Sequence, residues 1–157
     1  MVKKRKAPAR RSAGAGGRRA AFEDLTVGDI VNKRVQAARP DMKGDRVAGL
    51  LLKEGGVVPV VDKAKQLTGV VSEHDLLLAL DEGQAWSAQT ARDLMTENPY
   101  SVPPETTLST LVHVLTESDL ISVPVVNAGN RFVGVVTRRD VVRAALRPGR
   151  KRPARGR

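Results

Sequence analysis

Two blocks of this chain are written twice at a single spacing. Val58-Pro59-Val60-Val61-Asp62 returns as Val123-Pro124-Val125-Val126-Asn127, 65 residues later. Gly69-Val70-Val71-Ser72-Glu73-His74-Asp75 returns as Gly134-Val135-Val136-Thr137-Arg138-Arg139-Asp140, displaced by the same 65 residues. Separate blocks that share one offset mark an internal duplication, and a duplication restricts the available folds more than any local signal. One copy, of about 55 residues, can hardly bury a sheet unaided, whereas two stacked copies can. The duplication therefore predicts one integrated module with an approximate two-fold axis and two equivalent clefts where the halves meet.

Each copy carries the same coarse pattern. Leu108, Leu111, Val112 and Leu115 fall at i, i+3, i+4 and i+7, one apolar helix face. Val47, Leu50 and Leu51 serve the first copy, on a helix weakened by Gly44 and Gly49. The β-branched Val-Pro-Val-Val runs read as buried strands. Lys65-Gln66 or Gly129-Asn130 turns the chain into a second strand, Leu67–Val71 or Phe132–Val136. A final helix runs from Glu73 to about Leu80, or from Arg138 to about Leu146, and stops before Gly83 or Pro148. The expected class is α/β in the α+β sense: two strand-helix-strand-strand-helix repeats, residues 23–83 and 92–146, joined by a linker over 84–91.

The net charge of +10 divides unevenly along the chain. Residues 1–22 hold eight Lys/Arg and residues 147–157 hold six, neither segment with an acid; the remaining 124 residues carry thirteen bases against seventeen acids, a net −4. Both tails are rich in Ala, Gly, Pro and Arg, a composition that predicts disorder. Cysteine is absent, which removes disulfides, thiolate metal sites and cysteine nucleophiles together and suits a reducing cytoplasm. No apolar run approaches the roughly 20 residues of a membrane span. The basic start has no apolar segment behind it, so it is not a secretory signal. It is Arg-rich and acid-free like a transit peptide, yet its Gly and Pro oppose an amphipathic helix.

The residues argue for binding rather than catalysis. His74 and His113 lie in different copies, neither with a partner at metal-ligand spacing, and no nucleophile elbow, phosphate loop or dinucleotide fingerprint occurs. What recurs is Gly, two apolar residues, Ser or Thr, two variable residues and Asp, at a strand-to-helix junction. A helix N-terminus offers unpaired N–H groups and partial positive charge, which suit phosphate. The Thr137 hydroxyl can join those donors, Asp140 can accept both hydroxyls of a ribose diol, and Gly134 lets a ligand approach the strand end. The same spacing, Ser72 to Asp75 and Thr137 to Asp140, is also an ordinary capping box, and the two roles can coexist.

The duplicated Val-Pro-Val-Val strand followed by Gly-h-h-[Ser/Thr]-x-x-Asp, with h apolar, resembles the CBS-domain family. The resemblance runs from about Asp24 to Leu146. It includes Asp93-Leu94-Met95-Thr96, Asn98-Pro99 and Val102-Pro103-Pro104-Glu105-Thr106 in the second copy, and more loosely Asp29-Ile30-Val31-Asn32 and Arg39-Pro40-Asp41 in the first. It implies a tandem pair with an adenosine ligand, AMP, ADP, ATP or sometimes S-adenosylmethionine, between the repeats. On that resemblance Asp140 and Asp75 would hold ribose hydroxyls, and Thr137 and Ser72 would help hold ribose or phosphate. The backbone at Pro99, Tyr100 and Ser101, and from Val35 to Ala37 in the first copy, would read the adenine edge, with Val123 and Pro124 packed near it. Some members grip phosphate with bases just before the Val-Pro-Val-Val strand; here Ile121-Ser122 and Gly56-Val57 stand there. Arg138 and Arg139 could compensate in the second copy, or be solvated charges, whereas Glu73 and His74 would not help a phosphate in the first.

The expected function is a regulatory, non-enzymatic module that senses an adenosine nucleotide, needs no cofactor, and pairs into a homodimer through Leu76, Leu77, Leu80, Val141 and Val142. The alternative is a dimeric scaffold, empty of ligand, whose tails bind nucleic acid. A third possibility is the detached regulatory piece of an enzyme such as an IMP dehydrogenase. The tails carry no interleaved aromatic residues, so any nucleic-acid contact is electrostatic and sequence-independent. Deleting residues 1–22 and 147–157 changes the net charge from +10 to −4, and duplex-DNA binding, measured by anisotropy against salt, should vanish with it. Equal binding by the tailless chain would exclude an electrostatic role for the tails.

Overall fold

β-branched residues on both sides of a short turn make each copy's hairpin. A computed structural model describes residues 21–147, so the tails lie outside it except for Ala21, Phe22 and Arg147. In the first copy β1 (Val57–Val61) pairs antiparallel with β2 (Leu67–Ser72), and in the second β4 (Ser122–Val126) pairs with β5 (Phe132–Thr137). The registers repeat at the sequence offset: Val57 faces Ser72 as Ser122 faces Thr137, and a bulge falls after Val60 as after Val125. Lys65 and Asn130, at φ 61° in both cases, occupy the left-handed position of the two turns.

Helices cover one side of each hairpin. α2 (Gly44–Glu54) and α3 (Glu73–Asp81) belong to the first copy, α5 (Leu108–Glu117) and α6 (Arg138–Leu146) to the second. Leu108, Leu111 and Leu115 are buried as the i, i+3, i+7 spacing predicts, and Val47 and Leu51 are buried on α2, while Leu50 and Val112 are only partly covered. Gly44 is there for packing: a Cβ at that position would collide with the Trp86 carbonyl oxygen. The strand expected to open each copy shrinks to one residue, Ala38 bridging Val60 and Val102 bridging Val125, both parallel. Pro40 and Pro103 follow within two residues, and proline has no N–H to extend a ladder.

The sequence pattern does not announce how the copies join. The opening segment of each packs into the other. α1 (Val27–Ile30) begins the first copy, yet Val27 is buried in the second core, with Phe22, Leu25, Ile30 and Val31 against it. α4 (Ala91–Leu94) begins the second copy, yet Ala91 and Leu94 are buried in the first core, beside Trp86 and Met95. The backbone follows: Val27 N donates to Thr106 O at 2.8 Å, Asn32 N to Val135 O at 2.9 Å, and β3 (Thr96–Glu97) pairs with Val70 and Gly69 of β2. At their tips the hairpins also meet directly, Phe132 N donating to Lys65 O at 2.9 Å and Asn130 Nδ2 to Leu67 O at 2.8 Å. Linker residues Trp86–Ala88 form a 3₁₀ turn, with Trp86 Nε1 donating to Leu76 O at 3.3 Å.

The exchange explains the glycine that opens each repeated motif, and corrects its expected role. A Cβ on Gly134 would overlap the Asn32 carbonyl oxygen and sit 2.8 Å from Val31 Cγ2; one on Gly69 would lie 2.5 Å from Met95 Sδ and 2.9 Å from Thr96 O. Gly134 therefore admits the crossing chain of the other copy, not a ligand. Replacing it by alanine should cost about 1–3 kcal/mol through overpacking, whereas Gly49→Ala, inside α2 with nothing within 4 Å of its Cβ, should stabilise by roughly 0.5–1 kcal/mol. Chemical denaturation of both variants reads the opposite signs. Residues 23–83 and 92–146 expressed separately should each lack cooperative unfolding, since each core needs the other copy's segment; two independently folded monomeric halves would contradict the exchange.

Candidate functional site

Both strand–helix junctions close as capping boxes. Thr137 N and Oγ1 donate to Asp140 Oδ2 at 2.9 and 2.8 Å, and Asp140 N returns to Thr137 Oγ1 at 3.2 Å. Ser72 N and Oγ donate to Asp75 Oδ2 at 2.6 and 2.7 Å. The same box starts the two exchanged helices, Thr26 with Asp29 and Thr90 with Asp93, and there Thr90's backbone and side-chain hydrogen bonds hold the Asp93 carboxyl below its ordinary value. Four boxes of one type show that capping accounts for the spacing. What distinguishes Asp75 and Asp140 is the second oxygen.

In the first copy that oxygen is taken: Thr96 Oγ1 donates to Asp75 Oδ1 at 3.2 Å. In the second, Asn32 stands at the corresponding point of the crossing, and its Oδ1 accepts from Arg34 N at 3.0 Å instead. Among the described residues Asp140 Oδ1 then meets only Arg143 Nη1, at 3.3 Å, and the Asp140 side chain keeps 17% of its surface exposed. It opens on a pocket of about 140 Å³ shared with Asp29, Ile30, Val31, Arg143 and Arg147.

The crossings also regroup the expected site residues. From Asn32 on β5 to Ala38 beside Val60, the segment holding Val35 and Ala37 spans the seam between the halves, starting two residues from Thr137. From β3 on β2 to Val102 beside Val125, the segment holding Pro99, Tyr100 and Ser101 spans it on the side of Ser72 and Asp75. The start of each crossing thus lies beside the Ser/Thr-x-x-Asp motif of the other copy, Thr96 Oγ1 reaching Asp75 and Asn32 pairing with Val135.

Three expected contacts are placed elsewhere. Val123 is fully buried in the second core with Pro124 buried beside it, so neither side chain reaches a cleft. Arg138 holds the C-terminal end of α5: Nε donates to Leu120 O at 2.6 Å and Nη2 to Leu115 O at 3.1 Å, with Asp119 Oδ1 at 3.0 Å. That engagement ties Nε and Nη2 to the fold, while the side chain keeps 45% of its surface exposed. Arg139 is exposed.

Other features carried no motif. Ser122 is buried with its hydroxyl lacking any hydrogen-bond partner, and a Cβ on Gly56 of the other copy would lie 3.1 Å from it. A buried hydroxyl normally finds a partner, so this one marks the seam as polar and under-satisfied. A groove of about 630 Å³ lies at the first hairpin's tip, with Arg39, Lys63 and Arg92 beside Asp41 and Asp62; Asp62 Oδ1 already accepts from Ala64 N and Gln66 N at 2.9 Å each. Among the described residues no group of three or more His, Asp or Glu could hold a metal, and no helix is long and apolar enough to cross a membrane.

Comparison with known proteins agrees with this geometry. The family description "CBS domain" matches residues 27–82 and 91–147. CBSX2 of Arabidopsis thaliana, described as a chloroplastic CBS domain-containing protein, is 31% identical over 151 residues, covering 77% of this chain and 63% of that protein. The chain thus spans a little under two thirds of that relative. The crystal structure of CBSX2 in complex with AMP superposes with a TM-score of 0.68 at 34% identity, covering 78% of this chain and 96% of that one. The CBS domain pair of protein MJ0100, in complex with 5′-methylthioadenosine and S-adenosyl-L-methionine, superposes at 0.67 with 26% identity, covering 76% and 98%. Some relatives are enzymes, among them an inosine-5′-monophosphate dehydrogenase of Nitrosopumilus maritimus, 26% identical over 126 residues, which cover 80% of this chain and 24% of that enzyme. With two matched repeats, a duplicated hairpin register and a shared superposition, this chain belongs to the CBS-domain family as a tandem pair.

Proposed function

We propose that the chain is a regulatory module that binds an adenosine nucleotide in the cleft between Thr137–Asp140 and the Val35–Ala37 segment. The observation that carries this reading is the division of labour at Asp140: one oxygen caps α6, and among the described residues the other meets only the half-exposed Arg143 side chain. A carboxylate oxygen so placed can accept ribose hydroxyls without dismantling the helix start. The unpartnered Ser122 hydroxyl at the seam supports a polar ligand there, as do the AMP and S-adenosylmethionine complexes of similar CBS pairs. Arg143 and Arg147, beside Asp29 and Asp140 in the adjoining pocket, are the cations nearest to that carboxylate. The pocket between α1 and α6 on which Asp140 opens holds about 140 Å³, below the roughly 300 Å³ where small-molecule pockets begin, so a whole nucleotide must extend beyond it. The Asp75 cleft is the poorer one, its carboxylate filled by Thr96 and flanked by Glu73 and His74. The polyanion-scaffold alternative rests on the two tails, which lie almost wholly outside the described residues.

The module is proposed to act as a homodimer through the last helix of each copy. Leu76 and Val141 belong to the cores, so that contact falls to Leu77, Leu80 and Val142, which are 63%, 52% and 60% exposed, together with Leu78 and Leu146. Light scattering of the chain lacking both tails should give twice the chain mass, and a monomer at micromolar concentration would reject the pairing.

Calorimetric titration of AMP, ATP and S-adenosylmethionine tests the ligand. Losing two charge-assisted hydrogen bonds of about 1.5–3 kcal/mol each should make Asp140→Ala bind on the order of a hundredfold more weakly or worse. Asp75→Ala should matter less. Because Asp140→Ala also costs about 0.5–2 kcal/mol as a lost cap, Asp140→Asn, which can still accept from Thr137 N, separates binding from folding. Wild-type affinity in Asp140→Ala with only the melting temperature lowered would falsify the ribose assignment.

A further inference from the structure

The groove of about 630 Å³ at the first hairpin's tip draws its walls from three elements, and each brings a cation. Arg39 lies at the end of the first copy's crossing, Lys63 in the turn between β1 and β2, and Arg92 on α4. All three are exposed, and among the described residues none enters a salt bridge or a side-chain hydrogen bond.

The second copy shows that the fold does not need them. Ala38 and Val102 bridge equivalent strand residues, so Arg39 corresponds to Pro103. The left-handed turn residues Lys65 and Asn130 match Lys63 with Ala128. Arg92 N donates to Pro40 O as Gly28 N donates to Pro104 O, which matches Arg92 with Gly28. The same backbone is thus built with no cation at any of the three places. The groove's acids have a different history: Glu105 stands for Asp41, and Asp62 serves its turn by accepting from Ala64 N and Gln66 N.

A fourth cation at the groove's margin is set against the preference of its own helix. Lys43 is the N-cap of α2 and makes no side-chain cap, whereas its counterpart Thr107 accepts from Thr110 N at 3.2 Å on α5. A helix N-terminus carries partial positive charge and prefers Ser, Thr, Asp or Asn at that position. The Lys43 backbone bridges Thr90, a groove residue. Beyond the Thr90 hydrogen bonds, the charges of Arg92 and Lys43 also help hold the Asp93 carboxyl low. An anion from outside the chain would relieve this concentration of charge.

We propose that the groove binds a small organic anion, its phosphate or carboxylate group held by Arg39, Lys63 and Arg92. Guanidinium forks take either group in bidentate fashion, and about 630 Å³ lies within the roughly 300–1,000 Å³ of small-molecule pockets. Asp41, exposed at the rim, favours a ligand that also brings a hydroxyl or ammonium donor. No residue lining this groove lines the pocket beside Asp140, so the proposal goes beyond the nucleotide reading and stands without it.

Calorimetric titration of the full-length chain with glucose 6-phosphate, phosphoserine and citrate tests the assignment, with phosphate on the first two and carboxylates alone on the third. At least one should saturate at millimolar concentration or below. Arg39→Gln, Lys63→Gln and Arg92→Gln should each weaken that probe about tenfold or more, one charge-assisted hydrogen bond apiece, while Asp140→Asn leaves it unchanged. Lys43→Thr should weaken it too and yet raise the melting temperature by restoring the cap, so that its loss of binding cannot come from unfolding. A chain that binds none of the three probes overturns the proposal. So does a probe bound equally well by all four groove variants, a result that places the binding on the basic tails.

Discussion

Everything else in this structure depends on the reciprocal exchange of the two opening segments. Val27 fills the second core, and Ala91 and Leu94 fill the first. Fully burying one such Val or Leu contributes about 1.5–3 kcal/mol, so the exchange is worth several kcal/mol against a typical total of about 5–15. Each hairpin-and-helix half draws part of its core from the other. The crossings demand glycine where the chains meet, at positions 69 and 134, because backbone passes directly over backbone there.

The same crossings build the clefts. Each opening segment leaves the sheet edge of one half beside a Ser/Thr-x-x-Asp junction and arrives at the sheet edge of the other. A cleft so formed has one wall from each copy, and any ligand in it touches both halves. That arrangement suits a sensor, since binding then acts on the relation between halves and not on one of them alone. Under the proposed function the cap and the binding group are the same carboxylate, with one oxygen for each task.

The two copies share one plan but are not equal. Thr96 bonds Asp75 where Asn32 turns its amide oxygen to Arg34 and leaves Asp140 Oδ1 to Arg143. Glu73 and Glu82 stand where Arg138 and Arg147 stand in the other copy. The fold tolerates both because these groups sit at the surface or at the rim of the seam, where a charge changes recognition without disturbing a core.

The duplication, the hairpins, the helix faces and the capping boxes were legible in the sequence, because each rests on residues near one another in the chain: an offset of 65, an i, i+3, i+7 face, a Ser/Thr three residues before Asp. The membership of the family followed from the same local motifs. The roles of Arg138, Val123 and Gly134 were not legible. Arg138 reaches Leu115, Leu120 and Asp119 from about twenty residues away, Val123 is withdrawn into a core, and Gly134 is crossed by a segment some hundred residues earlier. Nor could spacing say that Thr96 reaches Asp75 while Asn32 pairs with Val135, since swapping the opening segments leaves every local pattern unchanged. Local chemistry determines the elements and their caps. Which element completes which core is decided by burial and backbone hydrogen bonding between residues far apart in the chain, and only the folded molecule brings those together.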